Sequence, residues 1–386
     1  MKIVHLSAAD RFADNHTYQI NNLIKYHKKL GYDVEVIAST DTFDDQGRFV
    51  HSAPVGKYIG ENGIPVTRIP FKKSNKYYYK MKRFVGLYDA LEAANPDILF
   101  IHNCQFLDID KVVSYLKNHR GVKVYVDNHA DHTNSATNFL SRNILHRIIW
   151  KRCAHQIEPY VSKFFGVLPI RVDFLKRMYG LPANKCELLV MGADDELVEK
   201  AKKSGARERI RKKYNILDTD FLIMTGGKID KWKTQTILLM KAVHNIQRDD
   251  VKLLVFGAIS EELKEDVMSL VDNSRVQYTG WIKATDSYDY FEAADLVVFP
   301  GRHSVFWEQV TGQGKPMIVK RWPGTDHVDI GGNVIFLSED SVEEIQTSIE
   351  RLLDDTELFE KMTNVARKDG MRVFSYEDIA RRAIIE

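Results

Sequence analysis

The residues best equipped for chemistry stand at the ends of short apolar runs. Met224-Thr225-Gly226-Gly227-Lys228-Ile229-Asp230-Lys231-Trp232-Lys233-Thr234 closes a buried-strand pattern with two glycines and then supplies lysines. Glycine lets a backbone come close to a ligand. The ammonium groups of Lys228 and Lys233 suit a diphosphate, whose departing charge needs fixed cations. A glycine turn with solvated lysines is the competing account. A second run, Val298-Phe299-Pro300-Gly301-Arg302-His303-Ser304-Val305-Phe306-Trp307-Glu308-Gln309, ends a strand at Pro300 and opens a helix near Glu308. A carboxylate there can accept hydrogen bonds from ribose hydroxyls, while the amides of His303, Ser304, Val305 and Phe306 face phosphate or sugar. The alternative is that Glu308 only offsets the helix dipole. In Val276-Gln277-Tyr278-Thr279-Gly280-Trp281-Ile282, Gly280 would let backbone groups and Trp281 meet a base, unless Trp281 is core. In the first half, an apolar run ends in Asp127-Asn128-His129-Ala130-Asp131-His132. His129 can hydrogen-bond a hydroxyl, with Asp127 or Asp131 to orient it. His and Asp at this spacing also suit Zn²⁺ or Mn²⁺, and a loop histidine without a role is the third account. Asp10, Arg11, Asn15 and His16 lie where the first apolar run gives way to a helical pattern, placed for ligand contact.

The elements that must position these residues alternate along the chain. Strand candidates are 3–6, 34–38, 98–102 and 122–126 in the first half, and 221–225, 252–256, 276–280, 296–300 and 317–320 in the second. Helical patterns such as Tyr18–Leu30, Tyr77–Ala94 and Thr236–Ile246 lie between them. Continuous apolar strands separated by helices predict a parallel sheet covered on both faces, and two such series predict two doubly wound α/β domains. The stretch after Leu188–Val190, MGADDELVEKAKKSGARERI, is charged and lacks strand character. It puts the first domain at 1–190 and the second at 195–370. After Phe374, a helix capped by Ser375 carries an apolar stripe.

A length of 386 residues fits two domains. With 44% hydrophobic and 28% charged residues the chain is an ordinary globular one rather than a disordered one. Lys and Arg number 55 against 53 Asp and Glu, a balance that excludes a dedicated nucleic-acid binder. Cys104, Cys153 and Cys186 have no metal-ligand spacing and are odd in number, which points to a reducing compartment. The N-terminal apolar run stops at Leu6, short of the roughly 7–15 residues of a signal-peptide core. No stretch reaches the ~18 apolar residues of a membrane span.

Taken together and in order, the three second-half motifs resemble the second domain of GT-B glycosyltransferases, most closely glycosyltransferase family 4 (group 1). That family ends a strand in Gly-Arg with a Lys five residues after the Arg; Gly227, Lys228 and Lys233 hold those places, with Lys for Arg. Its Val-x-Phe-x-Gly signature matches Val276, Tyr278 and Gly280. Its Glu-bearing helix ending in Gly-Lys-Pro resembles Glu308 through Gly314-Lys315-Pro316, and its Asn-Gly-Val-Asp interdomain segment looks like Met191-Gly192-Ala193-Asp194. Two features depart from the pattern. The family carries a first glutamate eight residues before the second, where this chain has Pro300, so His303 or Ser304 fills that space. Ala8-Ala9-Asp10-Arg11-Phe12 replaces its N-terminal glycine loop.

The resemblance implies a GT-B fold of two Rossmann-like domains facing a central cleft, with a C-terminal helix, 371–386, returning to the first domain. It implies transfer of a sugar from a UDP- or GDP-sugar to a glycan or lipid-linked acceptor, with retention and without a metal or other cofactor. Gly226, Gly227, Lys228, Lys233, Gly280, Trp281, His303, Ser304, Val305, Phe306 and Glu308 would bind the donor. His129, Lys228, Lys233 and Glu308 would be catalytic; Asp10, Arg11, Asn15, His16 and His129 would face the acceptor. Surface polysaccharide or glycolipid assembly is the implied setting. A nucleotide-sugar 2-epimerase of the same fold and a non-catalytic sugar-nucleotide-binding partner are the rival readings.

Residues 71–84 carry six basic groups, five aromatics and no acid, and 142–152 adds Arg142, Arg147, Lys151 and Arg152 among Ile144, Leu145, Ile148, Ile149 and Trp150. Such clusters suit an anionic membrane surface, giving a cytoplasmic protein peripheral at the inner face of the membrane. A solvated helix face over a buried tyrosine stripe explains the same residues equally well.

Overall fold

The computed structural model describes residues 1–43 and 48–384. The chain divides into two compact units, Met1–Val190 with Ile379–Glu386, and Met191–Asp378.

The first unit contains β1 (Lys2–Ser7), β2 (Asp33–Ser39), β3 (Thr42–Phe43), β4 (Phe49–Val50), β5 (Gly56–Ile59), β6 (Pro65–Ile69), β7 (Ile98–His102), β8 (Lys123–Asn128), β9 (Val161–Gly166) and β10 (Cys186–Leu188). Its main sheet runs β10-β9-β8-β7-β1-β2-β6-β5, and β3 pairs with β4 apart from it. Every neighbouring pair in the main sheet is parallel except β5 with β6. Alternate residues of a strand face opposite sides of its sheet. Accordingly Val34, Val36 and Ala38 join one apolar cluster and Ile37 the other. Polar residues nevertheless sit inside this sheet: His5, His102 and Asp127 are all at most 1% exposed. Register sets His102 beside Asp127 across β7 and β8.

The second unit contains β11 (Phe221–Gly226), β12 (Val251–Phe256), β13 (Val276–Tyr278), β14 (Leu296–Phe299), β15 (Met317–Lys320) and β16 (Val334–Leu337). They form one parallel sheet in the order β13-β12-β11-β14-β15-β16. Ile223, Leu253, Val276, Val298 and Ile318 fill its core against the helices Gln235–Asn245 and Val342–Asp354. Each unit is thus a Rossmann-like doubly wound sheet. Strand order reverses between β1 and β7 in one and between β11 and β14 in the other, and beyond such a reversal a crevice opens at the carboxyl ends.

Two expectations about helices need correction. The pattern Tyr77–Ala94 is two helices, Lys76–Met81 and Leu87–Ala94. The first stops at Lys82, whose φ is 55°, and the second starts after Gly86, whose φ is 76°. Phe84 bridges back to Phe71 between them, an extended pairing that no continuous helix could make. The C-terminal segment is likewise not one helix from 371: a break at Phe374–Ser375 separates Met371–Val373 from Tyr376–Arg382, and only from Ile379 does the chain join the first unit. Ser375 Oγ accepts from the Asp378 amide at 3.3 Å, as its capping role requires.

Candidate functional site

In the second unit, glycines end the strands around the reversal. A side chain at Gly226 would meet the Phe256 ring at 2.2 Å, and one at Gly257, after β12, would meet the Gly227 carbonyl oxygen at 1.9 Å. Gly227 itself has φ 112°. Gly280, after β13, accepts the Gly257 amide at 2.8 Å. These close approaches make a floor of bare backbone at the carboxyl ends of β11, β12 and β13.

The two lysines over that floor are not equivalent. Lys233 Nζ would lie 3.6 Å from a Cβ on Gly227, and Phe306 borders the same space at 3.8 Å. Half-burial lowers the Lys233 pKa against an opposing pull from Asp230. Among the described residues no carboxylate forms an ion pair with it. Lys228 is 69% exposed in its side chain and pairs with Asp230 at 3.4 Å. A side chain at Gly301, following β14, would meet Lys233 Cα at 3.6 Å and Gln235 Oε1 at 3.2 Å. Its neighbour Arg302 stacks on Trp232 at 4.5 Å.

Glu308 lies fully buried in the short helix Phe306–Gly312. Its Oε1 accepts from His303 Nε2 at 2.8 Å and from His327 Nε2 at 2.9 Å. Burial alone would raise its pKa, but the two imidazoles outweigh burial and hold the carboxyl well below the usual range. Glu308 Oε2 and His327 Nδ1 are buried and make no hydrogen bond within the protein. Of the expected set, Gly226, Gly227, Lys233, Gly280 and Phe306 gather at the strand ends, and His303 with Glu308 forms the carboxylate centre. Ser304 Oγ accepts the Phe306 amide at 3.3 Å in the turn before the helix. Val305 and Trp281 are exposed, at 57% and 69%.

Sequence reasoning missed Gly257 and His327. Gly257 follows a strand end and was open to the same glycine argument as Gly280. His327 stands in the loop after β15, nineteen positions past Glu308, where no spacing rule points to it.

The first unit divides the residues assigned to an acceptor. His129 Nε2 lies 3.7 Å from Asp127 Oδ2. Asn103 joins the neighbours: its Nδ2 donates to Asp10 at 2.6 Å and its Oδ1 accepts the His129 amide at 3.2 Å. Burial opposes protonation of His129, but Asp127 outweighs it and the pKa rises. Asp131 instead pairs with Arg171 at 3.0 Å, so Asp127 is the carboxylate that faces His129. Arg11, Asn15 and His16 form another group. Arg11 stacks on Phe49 at 4.2 Å, His16 on Tyr18 and Phe43, and the Asn15 amide donates to Glu61 at 2.9 Å. His16 borders a cavity of about 590 Å³ with Asp14, Phe43, Lys57, Tyr58 and Arg68.

Residues 220–355 match the family model of group 1 glycosyl transferases. A glycosyltransferase of Methanocaldococcus jannaschii is 21% identical over 182 residues, covering 45% of this chain and 46% of that protein. Mannosylfructose-phosphate synthase of Agrobacterium fabrum is 21% identical over 251 residues, covering 61% and 55%. The chain therefore spans about half the length of the curated relatives it matches. The crystal structure of Anabaena HepE, solved with UDP, aligns over 99% of this chain and 98% of its own with a TM-score of 0.67 at 17% identity. That likeness gives the fold, two Rossmann-like units of the GT-B type.

Proposed function

We propose, from the match of residues 220–355 to the family model of group 1 glycosyl transferases, that this chain moves a sugar from a nucleoside diphosphate donor to a hydroxyl of a glycan or lipid-linked acceptor. The observation that carries the reading is the meeting of Lys233 and a bare glycine backbone at the β11–β14 reversal, with Glu308 on the next helix. A half-buried ammonium without a carboxylate partner is a charge awaiting an anion, and a diphosphate bears its greatest charge as it leaves. Bound there, it would take Lys233 as its main cation, with Lys228 a solvent-side supplement. Glu308 would hold the ribose hydroxyls in this reading, while His303 and His327 keep the carboxylate ionised and fixed. UDP- and GDP-sugars are the donors of this reading, with retention at the anomeric carbon and neutralisation of the diphosphate by side chains instead of a metal.

The first unit would take the acceptor, with His129 holding or receiving the hydroxyl proton under the field of Asp127. Its surface also suits an anionic lipid layer. Lys72, Lys73, Lys76 and Lys80 are exposed around the helix Lys76–Met81. Phe139, Leu140, Ile144 and Ile148 are 77%, 58%, 40% and 58% exposed beside the exposed Arg142, Arg147 and Arg152. Lys82 and Arg83 instead form ion pairs with Asp41 and Asp108. Among the described residues no helix is long and apolar enough to cross a membrane.

The test is a screen of labelled UDP- and GDP-sugars against lipid and glycan extracts, following both label transfer and release of nucleoside diphosphate. Transfer with stoichiometric release supports the reading. Return of the donor with an inverted C2 centre, or no turnover of a donor that binds, would replace it with an epimerase or a binding partner.

A further inference from the structure

Three histidines stand in single file inside the first unit. His27 Nε2 faces the Ala380 carbonyl at 2.9 Å, and His27 Nδ1 meets His5 Nε2 at 3.0 Å. His5 Nδ1 meets His102 Nε2 at 3.0 Å, and His102 Nδ1 meets Asp127 Oδ2 at 2.7 Å. Residues of β1, β7, β8, the helix Gln19–Lys29 and the C-terminal helix Tyr376–Arg382 are thereby joined through dry interior, since His5, His27, His102 and Asp127 are at most 1% exposed. Phe100 and Tyr32 pack against the rings.

The ends of this file fix its proton count. The Ala380 carbonyl and an ionised Asp127 can only accept. Four hydrogen bonds therefore need four protons, yet three neutral imidazoles carry three. With three, one contact near 3 Å would set lone pair against lone pair between fully buried rings. The remaining groups around the file show where a fourth proton is stabilised. Asp127 is the carboxylate in contact; its other oxygen accepts the Asn103 amide at 3.1 Å. His129, Asp10 and the Arg171–Asp131 pair lie beyond it. Burial and neighbouring imidazoles push His5 down, and burial pushes His27 to about 4, so neither of these holds the charge.

We infer that the three imidazoles hold four protons, with His102 doubly protonated against Asp127, and that His102 is thereby a positioning residue which presents Asp127 to His129 as a fixed anion. His5 and His27, each protonated at Nε2, complete the hydrogen bonds of that cation and pass its polarity to the Ala380 carbonyl. That carbonyl is one of the orphan acceptors of a helix end, so the same file anchors the C-terminal helix within the first unit. The bearing on transfer rests on the acceptor-side reading of His129; the proton count does not.

The experiment is nitrogen-15 NMR of the full chain with labelled histidine at neutral pH, which separates doubly protonated rings from each neutral tautomer without any substrate. Expected are both His102 nitrogens protonated, and Nε2 alone in His5 and His27. Three neutral rings would overturn the inference. Asp127→Asn supplies the sharper test, because an amide in that place donates to His102 Nδ1 and removes the need for the fourth proton. In this variant His102 should become a neutral Nε2–H tautomer, His5 and His27 should keep theirs, and the titration of His129 should move downward as its anion disappears. A His102 that stays doubly protonated in folded Asp127→Asn would refute the assignment. If that variant does not fold, His5→Gln serves: an amide there accepts from His102 and donates to His27, so the count persists and His102 must remain doubly protonated.

Discussion

Replacing Lys233 by alanine should separate the work of the two lysines at the β11 end. Lys233 is half-buried, lies over Gly227, and is held below its ordinary pKa by burial. Its charge is costly in the empty site and most valuable when a departing diphosphate arrives. Loss of one preorganised group of this kind lowers kcat by about 10²–10³, equivalent to about 3–4 kcal/mol. Lys228 offers the control. Its side chain is 69% exposed and already paired with Asp230. An exposed pair contributes at most about 1 kcal/mol, or roughly fivefold. The assay is steady-state release of nucleoside diphosphate with calorimetric affinity for it, run beside thermal unfolding. Lys233→Ala should lose turnover and affinity while its melting temperature stays level or rises, because a desolvated cation has been removed. Lys228→Ala should stay within about fivefold of the parent. Turnover in Lys233→Ala within about threefold of the parent, or a larger loss in Lys228→Ala, would refute the reasoning.

Three further outcomes are expected. Gly257→Ala, whose Cβ would stand 1.9 Å from the Gly227 oxygen at φ 123°, should cost about 3 kcal/mol or more and abolish nucleotide binding; an unchanged melting temperature would show that the floor is pliable. Stability should fall as the pH drops, since His27, at about 4 in the fold, refuses a proton that the unfolded chain takes at about 6.5. Between those values this residue alone withdraws about 3 kcal/mol, read as a falling urea midpoint; a flat midpoint would contradict the buried neutral ring. Changing Lys72, Lys73, Lys76 and Lys80 together to glutamine should weaken binding to phosphatidylglycerol vesicles by about 4 kcal/mol, roughly 10³-fold, whereas equal flotation of variant and parent would exclude that surface.

Much of the geometry at the carboxyl ends of the second unit's sheet was legible because it rests on strand ends. Runs such as Phe221–Thr225 and Val297–Phe299 are apolar without alternation, which only a sheet covered on both faces tolerates. Once those strands were drawn, Gly226, Gly227, Lys233 and Glu308 fell at their carboxyl ends by counting. What was hidden depends on strand order and side-chain direction. Lys228 and Lys233 look alike in the sequence, and only the turn through Asp230 sends one to solvent and the other over Gly227. His5, His27 and His102 are separated by up to 97 positions, and they meet because β1 pairs with β7 and the helix Gln19–Lys29 brings His27 to His5. Nothing in local periodicity announces such a meeting. β3, β4, β5, β6, β9 and β16 were also missed: PVTRI and GKYI mix polar and apolar residues as loops do, although VIFL in β16 is apolar throughout. Residues Ser141–Trp150 wind as a wide-turned π helix with Ile144 and Ile148 exposed, and that hydrogen-bond register is something composition does not carry.

The most direct test of the central claim is a thermal-shift series of the full chain with UDP, GDP, ADP and their common sugar conjugates, with Lys233→Ala measured alongside. Ligand at 100 times its dissociation constant should stabilise the fold by about 2.7 kcal/mol. A base-selective shift that Lys233→Ala loses is the predicted result. No shift with any nucleotide, or a shift that survives unchanged in Lys233→Ala, would contradict a donor site at the β11–β14 reversal.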